Sequence, residues 1–382
     1  MRTMGLAGLD ELVAALGRAG YEVYGPRARD GAIVLAPIAG VADLPHGVGD
    51  TQDAAFYRLR DRGDAKVFGY STAVQGLKPV LFPAHELLWK ARKTPIGFDV
   101  EDADATPPKP RAFLGARDCD LRALAVHDTV LASREFADKA YGQRREGVFV
   151  VAVTCSDPCG TCFCVSQGGS PKPQEGYDLA LTELLDGDGH RFLVEVGSER
   201  GAEILAEVTT TDAPPTDTAA ADAVVAEATA SMGRTLDTSD LHDVMYAAAD
   251  SPHWDEVAAR CLACTNCTLV CPTCFCTSVE DTTDLTKSMT ERHRVWDSCF
   301  GSRFSYIHGG VVRESGKSRY RQWITHKLAG YQDQFGLSGC VGCGRCITWC
   351  PAAIDITAEA AALRAGLTTG ATDALETAGE TR

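Results

Sequence analysis

Cys261, Cys264, Cys267 and Cys271 are spaced x2, x2 and x3, with Pro272 behind them. Cys340, Cys343, Cys346 and Cys350 repeat the spacing, with Pro351 behind. This is the C-x2-C-x2-C-x3-C-P run that holds [4Fe–4S] clusters. Three thiolates in a tight loop wrap one cubane, while the fourth, on the helix beyond, points to a second. By that crossed rule Cys261, Cys264 and Cys267 take Cys350, and Cys340, Cys343 and Cys346 take Cys271. Gly342 and Gly344 let backbone N–H groups approach the sulfides, and successive N–H donors stabilise an anionic group. Structural zinc also uses C-x2-C pairs, but as two separated pairs rather than a triplet with a trailing Cys-Pro.

Eight cysteines lie outside these runs: Cys119, Cys155, Cys159, Cys162, Cys164, Cys274, Cys276 and Cys299. Thr-Cys-Phe-Cys occurs at 161–164 and again at 273–276, too short a match to establish a repeat. Cys119, Cys155, Cys162 and Cys164 are the candidate ligands of a third cluster, with Cys274, Cys276 and Cys299 as alternatives. The competing reading is buried free thiols, since cysteine buries readily; four cysteines within ten residues argue against it.

The elements that must position these thiols follow from periodicity. Leu6, Leu9, Leu12, Val13 and Leu16 have helical spacing, and Ala32–Leu35 is a short apolar strand. Ala112–Gly115, a helix capped by Asp118, and the apolar run Val148–Val153 predict a βαβ unit with parallel strands. Cys119 and Cys155 then leave the same sheet edge, where open α/β sheets place ligands. Phe192–Val196 adds another strand, and a helix with a linker follows. The acidic, proline-rich stretch 101–110 predicts a loop. The 68 residues between Cys271 and Cys340 exceed the needs of a compact ferredoxin, and stretches such as Arg319–Leu328 are helix-like. The expected architecture is an α/β domain over 1–235, a mainly helical two-cluster ferredoxin-like domain over 236–360, and a flexible tail over 361–382.

Ser315-Gly316-Lys317-Ser318 resembles the end of a P-loop, but Val311 stands where glycine is required, so a basic surface loop is expected. Neither a G-x-G-x-x-G fingerprint nor an H-E-x-x-H helix occurs, and Trp254, Trp296 and Trp349 are read as core. A chain of 382 residues can build its core without covalent staples, so sixteen cysteines need another reason. Asp10 and Glu11 interrupt the N-terminal stretch, and no run approaches the ~18 apolar residues of a membrane span. Disulfides belong to oxidising compartments, so the expectation is a cytoplasmic chain holding metal. A net charge of −15 argues against nucleic acid. Residues 291–330 run the other way, with eight Arg/Lys against three Asp/Glu. They are either a solvated face or an offset to anionic clusters or an acidic partner.

With these residues in hand, the chain resembles the β subunits of cytosolic NAD(P)-linked [NiFe] hydrogenases, the sulfhydrogenases, and is similar to the A subunit of anaerobic sulfite reductase. The resemblance rests on Asp118-Cys119-Asp120-Leu121, His127-Asp128, Cys162-Phe163-Cys164 and Trp254-Asp255-Glu256. It continues through Cys261–Cys276, Trp296-Asp297-Ser298-Cys299 and Cys340–Cys346. It implies a non-catalytic relay between a flavin NAD(P)H-binding subunit and small cluster-bearing and large [NiFe] subunits. Every cysteine but Cys159 matches a family position; Cys159 looks like an addition. Outside this class stand a zinc-dependent scaffold and a thiol–disulfide enzyme built on the Cys-Phe-Cys pairs. The latter lacks a thioredoxin-like C-x-x-C opening a βαβ unit.

Overall fold

The computed structural model describes residues 1–102, 109–133 and 135–379. Eight strands form the main sheet: β1 (Arg2–Gly5), β2 (Glu22–Arg29), β3 (Ala32–Pro37), then after two intervening hairpins β8 (Arg111–Ala116), β9 (Phe149–Val153), β10 (Leu179–Asp186), β11 (Gly189–Val196) and β12 (Thr211–Asp212). Their order is β12-β1-β11-β10-β9-β8-β2-β3, with β2, β8, β9 and β10 parallel. Every residue of β9 is buried, as its unbroken apolar run requires. The helix Leu6–Arg18 covers one face with Leu9, Leu12, Val13 and Leu16. The helix Asp118–His127 covers the other through Leu121 and Leu124, packed with Phe82, Phe113 and Tyr141.

The βαβ unit is as expected, except at the helix cap. Arg117, not Asp118, holds that position, closed by the Asp120 carboxylate accepting from Arg117 N. Asp118 instead accepts from Ser170 N and Gln174 N, fastening the loop after Cys164.

The two intervening hairpins are β4 (Val48–Asp53) with β5 (Phe56–Asp61), and β6 (His85–Thr94) with β7 (Gly97–Asp102). The second joins β13 (Thr277–Thr283) and β14 (Met289–Trp296) in a four-stranded sheet ordered β13-β14-β6-β7. The C-terminal region is therefore mixed rather than mainly helical, because the segment between the cysteine runs folds into strands that pair with β6. Of the acidic stretch 101–110, Glu101 and Asp102 end β7, while 103–108 lie outside the described residues. Arg234, at the expected boundary, ties the two regions: it donates to Asp355, Asp53 and the Gly160 carbonyl.

A second core surrounds the C-terminal cysteine runs, built on Trp254, Val257, Phe300, Tyr320, Trp323 and Ile347. Ser315 N-caps the helix Gly316–Thr325, so the sequence resembling a P-loop starts a helix rather than a loop. The helix Ile356–Gly379 runs through Ala361, where composition places the tail; Leu363 is buried, and 380–382 lie outside the described residues.

Candidate iron–sulfur cluster sites

The two cysteine runs share one backbone. Ala263 and Thr265 have φ of 51° and 69°, and at the matching places Gly342 and Gly344 have 69° and 71°. Each loop then enters a short helix, Asn266–Leu269 or Arg345–Thr348, carrying the third cysteine of its run. Left-handed residues turn successive N–H groups inward, the arrangement that cradles an anion. Ala263 N donates to Cys261 Sγ at 3.4 Å, and Ile354 N to Cys350 Sγ at 3.4 Å. For Ala263 and Thr265 this conformation costs roughly 1–2 kcal/mol each, strain of the kind retained at functional sites.

The thiols of the two runs line two neighbouring cavities. One cavity is lined by Cys261, Cys264, Cys267 and Cys350, with Phe300, Tyr320, Trp323 and Ile354 as its apolar wall. A second is lined by Cys271, Cys340, Cys343 and Cys346, with Lys327 among them. Cys346 belongs to both walls, so the two cavities adjoin. Among the described residues no three His, Cys, Asp or Glu side chains converge on a point suited to a single metal ion.

The electrostatics of the second cavity suit an anionic occupant. Lys327 is 3% exposed, and its Nζ donates to Cys271 Sγ at 3.2 Å, Thr273 Oγ1 at 3.0 Å and Gly339 O at 2.9 Å. Hydrogen bonding from Cys274 and the nearby Lys327 ammonium hold the Cys271 thiol well below its ordinary range, against burial. Arg345, fully buried, pairs with Asp120 at 2.7 Å and leaves Nη1 without a partner beside Cys343. Burial, and after it the neighbouring thiols, push the Cys267 and Cys346 thiols up. A group that binds thiolates and accepts from Arg345 fits these residues; Arg345 has Asp120 as counter-charge, but free thiols would leave the buried Lys327 without one.

The remaining cysteines reveal a repeat longer than the shared tetrapeptide. Residues 155–164 and 267–276 both read C-x3-C-x-T-C-F-C, which aligns Cys155, Cys159, Cys162 and Cys164 with Cys267, Cys271, Cys274 and Cys276. The geometry repeats too. Cys159 Sγ lies 3.2 Å from Thr161 Oγ1, and Cys271 Sγ lies 3.1 Å from Thr273 Oγ1. In each copy the next cysteine bonds back: Cys162 to Cys159 at 3.1 Å, and Cys274 to Cys271. The Cys162 contact, helped by Ser71 and Thr161, brings Cys159 down to about 6. Within this repeat Cys159 is the counterpart of Cys271. The signal was in the sequence, at the two positions preceding each tetrapeptide cysteine pair.

Not every proposed ligand stands together. Cys155, Cys159 and Cys162 form one group, and Cys164, which interacts with Cys155, packs with Cys119 against Val341 and Cys343 of the second run. Cys276 pairs with Cys299, held by side-chain and backbone hydrogen bonds. The first repeat lies directly on the second run: Phe163 N donates to Gly342 O at 2.8 Å. A Cβ on Gly342 would stand 2.5 Å from Cys164 Cα, and one on Gly344 would stand 2.3 Å from Thr161 O. The glycines therefore make room for this neighbour as well as turning the loop. Trp254 is fully buried as read from sequence, while Trp349 stacks on Tyr57 and Trp296 on the Lys78 ammonium.

Residues 260–354 match the family described as 4Fe-4S dicluster domain. Over 258 residues the chain is 33% identical to sulfhydrogenase 2 subunit beta of Pyrococcus furiosus, covering 67% of this chain and 74% of that one. No solved structure matches it.

Proposed function

Because the chain belongs to the family of the sulfhydrogenase β subunits, we propose that it relays electrons between a flavin NAD(P)H-oxidising subunit and a [NiFe] hydrogenase module. The supporting observation is the pair of adjoining cavities, each lined by three thiols of one run together with the last cysteine of the other, and sharing Cys346. Clusters bound there would supply one-electron carriers at short separation. The protein's own part is to hold them by eight cysteines, to wall the first with Phe300, Tyr320 and Trp323, and to supply inward N–H donors. Of the two assemblies that the sequence resembles, the relative found is the hydrogenase subunit.

A third cluster is part of this reading, held from among Cys119, Cys155, Cys159, Cys162 and Cys164. Cys164 adjoins Cys119 and Cys343, which would put such a cluster next to the second one. The chain itself is read as non-catalytic. No helix among the described residues is long and apolar enough to cross a membrane, and a cytoplasmic place in the assembly is the accompanying expectation.

The test is anaerobic purification with iron and sulfide counted. About 12 irons per chain are expected, or about 8 if only the paired runs are filled. The isolated subunit should bleach with dithionite yet oxidise neither NAD(P)H nor hydrogen. Activity should appear with flavin and catalytic subunits added, and vanish on Cys261→Ala in protein shown to assemble. Pyridine-nucleotide oxidation by the chain alone would overturn the relay reading.

A further inference from the structure

Lys327 sits where the helix Gly316–Thr325 widens into a π turn, His326–Gly330, a distortion that recurs at functional sites. Its Nζ has three acceptors: a thiol sulfur, a hydroxyl oxygen and a carbonyl oxygen. An ammonium has three donors and no acceptor, so the surroundings match the charged form bond for bond. None of the ion pairs among the described residues gives it a carboxylate, and a buried ammonium without a counter-charge is costly. The titratable groups it faces are the thiols of Cys271, Cys274 and Cys340 and the ring of Tyr331. Lys78, also buried, lies behind, donating to the carbonyl of Cys274 at 3.3 Å.

The first cavity has no cation in its wall. Its nearest ones, Arg319 and Arg260, reach solvent and are engaged elsewhere: Arg319 on the carbonyls of Phe300 and Glu314, Arg260 on Glu359. Cys264 is exposed there. The two sites therefore differ in buried charge far more than in thiol number.

We infer that Lys327 raises the reduction potential of the cluster held by Cys271, Cys340, Cys343 and Cys346, and makes that site the collecting point for electrons entering beside Cys264. The inference rests on the cluster reading above. Reduction adds one negative charge without making or breaking a bond, and a fixed ammonium at hydrogen-bond distance from a ligand sulfur favours the more negative state. In a buried site that attraction is weakly screened. Hydrogen bonds to sulfur and local charge are the means by which a protein sets such potentials.

The experiment is a redox titration of the full chain followed by electron paramagnetic resonance, in wild type, Lys327→Met and Lys327→Arg. Cys271→Ser identifies which signal belongs to the second site. The expected result is a downward shift of that signal in Lys327→Met, enough to place it after its neighbour in the order of reduction. The neighbour should stay put, and Lys327→Arg should restore most of the shift. If Lys327→Met loses the cluster, Lys327→Gln replaces it, and the same downward shift is required. An unmoved midpoint in iron-replete variants, or an equal shift of both signals, would overturn the role of Lys327. Wild-type protein without iron would instead sink the cluster reading itself.

Discussion

Ala263 and Gly342 hold the same left-handed backbone at matched places in the two cysteine runs, with φ of 51° and 69°. Their surroundings differ, because only Gly342 lies against the Phe163-Cys164 backbone. Ala263→Gly should therefore be neutral or stabilising by up to about 1 kcal/mol, relief of strain offsetting the added freedom of the unfolded chain. Gly342→Ala should destabilise by roughly 3 kcal/mol, since the new Cβ meets backbone rather than a movable side chain. Denaturation midpoints at matched iron content measure both; equal effects would show that the loops are not distinguished by this contact.

Cys271→Ser should disturb the signal of the cluster on Cys340, Cys343 and Cys346 and spare that on Cys261, Cys264 and Cys267. The reason is that Cys271 lines the other run's cavity. Paramagnetic resonance of the reduced variant decides, and a change confined to the Cys261–Cys267 signal would refute the crossed arrangement.

Asp120 and Arg345 form a buried pair, with side chains 4% and 1% exposed. Removing one partner strands the other's charge, so Asp120→Asn should cost roughly 3 kcal/mol. It also weakens the cap on the helix Asp118–His127. Chemical denaturation measures the loss; a change below about 1 kcal/mol would show that Arg345 finds its compensation elsewhere.

His127 is fully buried with Nε2 unpartnered, and burial, then the nearby Lys78 charge, hold its pKa down to about 3. Its folded value is depressed below the unfolded one, so the folded state binds fewer protons between about pH 6.5 and about pH 3. Stability is lost as pH falls through that window, by roughly 3 kcal/mol at pH 4. His127→Leu should flatten this part of the pH profile. Unfolding midpoints from pH 7 to pH 4 provide the comparison, and an unchanged slope would exclude His127 as its source.

What could be read from sequence were features with local causes. The spacing of Cys261–Cys271 and Cys340–Cys350 carries its own geometry, and the apolar run at Val148–Val153 announces a strand buried on both faces. The pairing of β14 with β6 was not legible. Thr277–Thr283 and Met289–Trp296 are rich in charged and hydroxyl side chains, and the first is largely exposed, so no alternation of apolar and polar residues marks these strands. The positions of Lys327 and Lys78 were equally hidden. A lysine within a basic stretch looks solvated until the cysteines it faces have been brought to it from elsewhere in the chain. The ten-residue repeat is a different case, being present in the letters and missed because only its last four residues are contiguous.

The sheet β13-β14-β6-β7 also governs the order in which a newborn chain can mature. While β6 emerges from the ribosome its partner β14 has yet to be made, and the edge it presents invites pairing with other chains. Closing so distant a contact is slow, because the loop's entropy is lost before the pairing rewards it. The second repeat and Cys299 flank the same hairpin, and Cys340–Cys350 come later still. The two cysteine runs therefore come together only after residue 350 has been made, and a nascent chain halted near residue 235 would carry β6 without its β14 partner.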